Sequence, residues 1–173
     1  MNLRSLAAPL CAALALGAAP VPPAGPAGAP DGLNWHATPA EIATRCSAAI
    51  ATTQTRVARI ARTKKPTFAS VVLPLENASS DAYDSIAGDI FLSQVAIDPA
   101  VRQAGLDCRE RFEAFYTKVT AEPQLERAVA AAVKSGTAKS EYDNKHSKMF
   151  LTDLVRSGAG VAGGERAEFV KVS

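Results

Sequence analysis

Residues 98–119, DPAVRQAGLDCRERFEAFYTKV, decide the fold. Val101, Gly105, Cys108, Phe112, Phe115 and Val119 recur in steps of four and three, which keeps them on one side of a helix. Asp98 supplies an N-cap acceptor, and Pro99 at the first helical position loses only a donor that had no partner. The opposite face is charged, with Asp107 and Arg111, and Arg109 and Glu113, each spaced for modest helix-stabilising pairs on a solvated surface. Gly105 lies on the apolar stripe and costs helix propensity, so its expected compensation is the close approach of a second helix. This segment is therefore read as the helix around which the others pack.

Working outward, Thr38-Pro39-Ala40-Glu41 has the form of a capping box with proline at the first helical position. The helix it opens carries Ile42, Cys46, Ala49, Thr53, Val57 and Ile60 as its inner stripe and is expected to stop by Lys65, before Pro66. Thr67 opens a second segment with Phe68, Val71, Val72 and Leu75 inward, which Pro74 should bend or divide. Ala82, Ile86, Ile90 and Val95 are read as its continuing apolar side, and Asp81, Asp84 and Asp89 as a solvated face. These acids lack the alternation and turn glycine of a calcium loop. Further helices are expected from Pro123 through Leu125, Val129, Ala132 and Val133 to a stop at Gly136, and from about Lys139 to Arg156 with His146, Phe150 and Leu154 along one side. The fold class is thus all-α, an antiparallel bundle of about five helices.

The chain has 173 residues, a formal net charge of +2 and 47% hydrophobic residues, a composition that suits a helical core and selects no charged partner. Residues 1–19 read as a signal peptide, with a basic start followed by an apolar run too short for a membrane span. Residues 20–37 read as a Pro/Gly-rich spacer and lead-in, and residues 38–173 as the helical domain. Export to a periplasmic or secreted location follows, with no membrane association after the leader is removed. Cys11 lies behind Pro9 and Leu10 rather than small residues, which disfavours lipidation. Cys46 and Cys108 are read as two buried thiols in preference to a bridge.

Arg56, Arg59, Arg62, Lys64 and Lys65 gather where the helix dipole favours cations, without interleaved aromatics, so nucleic acid is not a partner. His36 and His146 are too far apart in sequence to suggest one metal site. Asn77-Ala78-Ser79 matches a glycosylation triplet but falls inside an expected helix. Gly158, Gly160 and Gly163 match G-x-G-x-x-G without the preceding strand that a dinucleotide site needs, and are read as an interhelical loop before a further helix from Glu165.

Leu33-Asn34-Trp35 followed by Thr38-Pro39-Ala40-Glu41-Ile42, Leu75-Glu76-Asn77, Asp98-Pro99-Ala100-Val101-Arg102 and Phe150-Leu151-x-x-Leu154-Val155-Arg156-Ser157-Gly158 together resemble the thimet oligopeptidase and neurolysin family of zinc metallopeptidases. The resemblance covers nearly all of the chain after the leader and corresponds to that family's N-terminal helical region. It implies a larger helical metallopeptidase in which these helices form one wall of a channel for short peptides. Family catalysis uses an H-E-x-x-H helix, whose histidines hold zinc while the glutamate activates water, plus a glutamate ligand downstream. No H-E-x-x-H occurs in this sequence, so no catalytic, cofactor-binding or metal-ligating residue carries over. The expectation is an exported oligopeptidase represented by its N-terminal region, cut short before the zinc motif and inactive alone. Zinc and short peptides would engage only a full-length member. The alternative is a stand-alone exported helical bundle that binds a protein or peptide.

Overall fold

The computed structural model describes residues 33–161. The expected leader, most of the spacer and the segment from Glu165 lie outside the described residues. Those described form an all-α bundle of five helices: α1 Pro39–Ala61, α2 Leu73–Val95, α3 Pro99–Thr120, α4 Pro123–Lys134 and α5 Glu141–Leu154. A π-helical turn, Phe68–Val72, leads into α2, and another, Val155–Ala159, extends α5.

Local chemistry fixes most helix starts. In α1 the Thr38 hydroxyl accepts from the Glu41 N–H at 3.3 Å, while the Thr38 N–H and hydroxyl donate to Glu41 Oε2 at 2.8 and 2.9 Å. Those bonds favour the charged carboxylate, so Glu41 titrates below its ordinary value. Asp98 caps α3 by accepting from the Ala100 N–H at 2.8 Å, and Ser140 caps α5 through the Asp143 N–H. Beyond the end of α4, Gly136 takes a φ of 62°, a left-handed conformation that glycine adopts without penalty. Pro74 alters the bonding of its segment without breaking its path: the backbone is π-helical up to Val72 and α-helical from Leu73, both junction residues are helical, and the proline lies in the first turn of α2.

Cross-helix contacts give the topology. Arg45 and Arg56 of α1 meet Asp89 and Asp81 of α2, so the two helices run antiparallel. Gly105 of α3 lies against Asp89 and Ser93, and Ser79 reaches Tyr116, so α3 is antiparallel to α2 and parallel to α1. A disulfide joins Cys46 of α1 to Cys108 of α3, with their Cα atoms 5.7 Å apart. This corrects the expectation of two free buried thiols. Both side chains are buried, but the parallel stripes of α1 and α3 bring them within bonding reach, a juxtaposition that neither helical pattern encodes alone.

Two apolar clusters fill the bundle. One lies among α1, α2 and α3 around the disulfide and includes Ile42, Ile86, Leu92, Val101 and Phe112. The other lies towards the opposite end, where α4 and α5 pack Leu125, Val129 and Leu154 against Val57, Ile60, Val72 and Leu75. The stripe expected on α3 is buried from Val101 to Phe112, with Phe115 and Val119 half-buried at its edge. A Cβ added at Gly105 would sit 2.6 Å from the Asp89 carbonyl oxygen and 2.9 Å from the Ser93 nitrogen, the close helix approach that the glycine led us to expect.

The far half of α2 departs from the reading. Ala82 and Ile86 are buried as expected, but beyond them the buried positions are Asp89, Leu92 and Ser93, whereas Ile90 is half-buried and Val95 is 40% exposed. Two of those positions, Asp89 and Ser93, are polar, so an apolar periodicity passes over them. Asp89, expected on a solvated face, is buried and bonded to Arg45. On α3, Arg109 does meet Glu113 at 3.8 Å, but Asp107 accepts instead from Gln103 and Arg111 turns across to Ser47 of α1. In the glycine-rich run after Arg156, Gly158 takes a φ of 89°, which breaks the helical path that extends α5, and Gly158 and Ala159 are buried.

Candidate functional site

Helices α1, α2 and α3 leave a groove on each side of α1. On the α2 side, small residues hold the floor low: Ala48, Ala49, Thr52, Ala82 and Ser85 border a depression of about 330 Å³. Ion pairs frame it. Arg45 donates through Nε to Asp89 Oδ2 at 2.8 Å and through Nη2 to Oδ1 at 2.6 Å, while Arg56 Nη1 lies 2.6 Å from Asp81 Oδ2. The two-pronged bond to Asp89 stabilises the charged guanidinium and raises the Arg45 pKa. Because both arginines are already matched, this groove presents methyl groups and hydroxyls between neutralised charges.

The α1–α3 side differs in size and sign. There a groove of about 710 Å³ has Val57, Phe115 and Val119 in its floor, with Arg62, Arg111 and Lys118 on its margins. Glu122 is the one carboxylate among its lining residues. All three cations are exposed, and none forms an ion pair among the described residues. Spacing alone pairs Arg111 with Asp107 and leaves Arg62 to the helix dipole, which hides their convergence. A signal was present: Arg111 and Lys118 stand seven residues apart, two turns along one face of α3, with Ala114 and Phe115 between them.

The histidines occupy separate settings. His36 is exposed in the lead-in, where its backbone N–H donates to Asn34 Oδ1 at 3.1 Å. His146 stacks between Tyr142 and Phe150 along α5, with ring centroids 6.2 and 6.4 Å away. Its Nε2 is shielded from solvent and lies 3.1 Å from Glu76 Oε2 of α2, a short approach without hydrogen-bond alignment. This contact ties α5 to α2. No cluster of three or more His, Cys, Asp or Glu side chains suited to a metal ion occurs among the described residues, and Cys46 and Cys108 are consumed in the disulfide. No helix among the described residues is long and apolar enough to cross a membrane.

Compared with known protein-family models and with curated proteins, the chain matches none. The two grooves thus differ in charge: the one between α1 and α2 is neutralised, and the one between α1 and α3 has cations without ion-pair partners among the described residues.

Proposed function

We propose that this bundle is the N-terminal, access-shaping region of an exported zinc-dependent oligopeptidase whose H-E-x-x-H motif is not among these 173 residues. The observation that carries the reading is the order of the resembling motifs along one chain, from Leu33-Asn34-Trp35 to Phe150-Leu151-x-x-Leu154-Val155-Arg156-Ser157-Gly158. Those motifs coincide with the cap of α1, the first turns of α2, the start of α3 and the join between α5 and its π-helical extension, where a family would constrain helix placement. The uncovered side of α2 adds support. Tyr83, Phe91 and Val95 recur at eight and four residues and are 56%, 49% and 40% exposed, with Ile97 just beyond at 97%, a surface suited to packing against further protein. In this reading the helices govern which peptides reach the catalytic half, and bond chemistry belongs to that half.

The test is expression of the coding region extended downstream in each frame, followed by zinc analysis and turnover of a short quenched peptide. Zinc-dependent cleavage is expected only from a product carrying H-E-x-x-H. Absence of that motif from all frames, or equal cleavage by the 173-residue chain alone, overturns the reading. A second reading, a stand-alone exported bundle that binds a protein or peptide, draws on the disulfide and the two apolar clusters that α1–α5 complete among themselves. Cooperative unfolding of a monomer without exposed apolar surface favours it; self-association through α2 favours the first.

A further inference from the structure

We infer that the α1–α3 groove is a docking site for an acidic peptide segment that carries apolar side chains. Charge selects the occupant. Arg62, Arg111 and Lys118 face one carboxylate, Glu122, and are unpaired among the described residues, whereas the arginines beside the α1–α2 groove are neutralised by Asp81 and Asp89. Acidic side chains would complete at this rim what those aspartates complete across α1. The floor demands more than charge. Half-buried Phe115 and Val119 present apolar surface between the cations, so a ligand that also buries aliphatic or aromatic groups gains what a bare polyanion does not.

Dimensions and edge chemistry point to a peptide. The α1 lining extends from Ile50 to Arg62, about 18 Å of helix, which matches about six residues of extended chain. The side-chain amides of Gln54 and Gln124 border the groove, where each offers a donor and an acceptor to peptide groups. No residue of this lining is an exposed aromatic platform on which nucleic-acid bases would stack, since its one ring, Phe115, is half-buried. The inference does not depend on the oligopeptidase reading, and its test measures binding rather than cleavage.

The probe is a fluorescein-labelled peptide of about six residues alternating leucine with glutamate, titrated with the full chain and followed by polarisation. Saturable binding is expected, weakening as salt is raised. A variant combining Arg62→Gln, Arg111→Gln and Lys118→Gln is expected to bind roughly tenfold more weakly, the combined effect of three exposed charge contacts. Arg111 also donates to Ser47, so Ala114→Glu provides a second variant: it places a carboxylate beside the groove at an exposed helical position and should weaken binding with an unchanged urea midpoint. Equal binding of a leucine–lysine peptide, or wild-type affinity in both variants, overturns the inference. Equal binding of a glycine–glutamate peptide or a single-stranded oligonucleotide also overturns it, by reducing the groove to a nonspecific cationic surface.

Discussion

Replacing Gly105 by alanine sets two known effects against each other at one site. In an open helix the change would stabilise by about 1 kcal/mol, because alanine loses less backbone freedom on folding. Here the new methyl would lie 2.6 Å from the Asp89 carbonyl oxygen, 2.9 Å from the Ser93 nitrogen and 3.0 Å from the Ser93 Cβ. Two of those atoms are backbone, so relief requires α2 and α3 to move apart rather than a side chain to rotate. Overpacking of this kind costs about 1–3 kcal/mol, and separation of the helices also loosens contacts near the disulfide. Two backbone contacts under 3.0 Å put the cost in the upper part of that range, so we expect a net loss of about 1–2 kcal/mol, read as a lower urea midpoint at unchanged slope and a Tm lower by about 4–8 °C. Gly88 is the control. A Cβ there meets only Leu33 Cδ1, at 3.4 Å, so Gly88→Ala should be neutral or stabilising by up to about 1 kcal/mol. If Gly105→Ala is as stable as wild type, or if the two variants behave alike, the close α2–α3 approach is not what the glycine serves.

Opening the disulfide with the Cys46→Ala/Cys108→Ala pair releases a loop with a sequence separation of 62 and should cost about 4 kcal/mol in denaturant titrations, with non-reducing peptide mapping locating the bond in wild type. The Arg45–Asp89 pair should be asymmetric, because the Asp89 side chain is 6% exposed and that of Arg45 38%. Arg45→Met strands a buried carboxylate and should cost about 3 kcal/mol, whereas Asp89→Asn leaves an arginine that water can reach and should cost about 1 kcal/mol; equal losses would refute this account. Glu41 has a lowered folded-state pKa, so its charge stabilises α1 above the unfolded-state pKa, and that contribution disappears as pH falls through the folded value. Glu41→Gln should therefore lower Tm at neutral pH and converge with wild type in acid; a gap that persists in acid would assign the effect to something other than ionisation.

The sequence made the helices legible wherever local groups decide them. Asp98-Pro99 and Thr38-Pro39-Ala40-Glu41 act within one turn, and the stripes of α1 and α3 need only helical spacing. Legibility failed where the deciding partner lies far along the chain. Asp89 is buried because Arg45, 44 residues earlier, meets it, and Val95 is exposed because the stripe had already shifted onto Leu92 and Ser93. Arg111 has an acid four residues away yet bonds to Ser47, since α1 comes within reach in the folded bundle. The groove cations escaped notice for the same reason: each had a sufficient local explanation, and only the parallel packing of α1 with α3 places them along one cleft.

That packing, locked by the bridge between Cys46 and Cys108, makes a covalent ring of the chain, and the whole of α2 lies within it. Exposed Arg62 and Lys64 in the link after α1 offer a protease ready places to cut, whereas Pro66 protects the bond after Lys65. A single nick there severs the backbone without dividing the molecule: both pieces still travel together in a denaturing gel, and only a reductant lets them part.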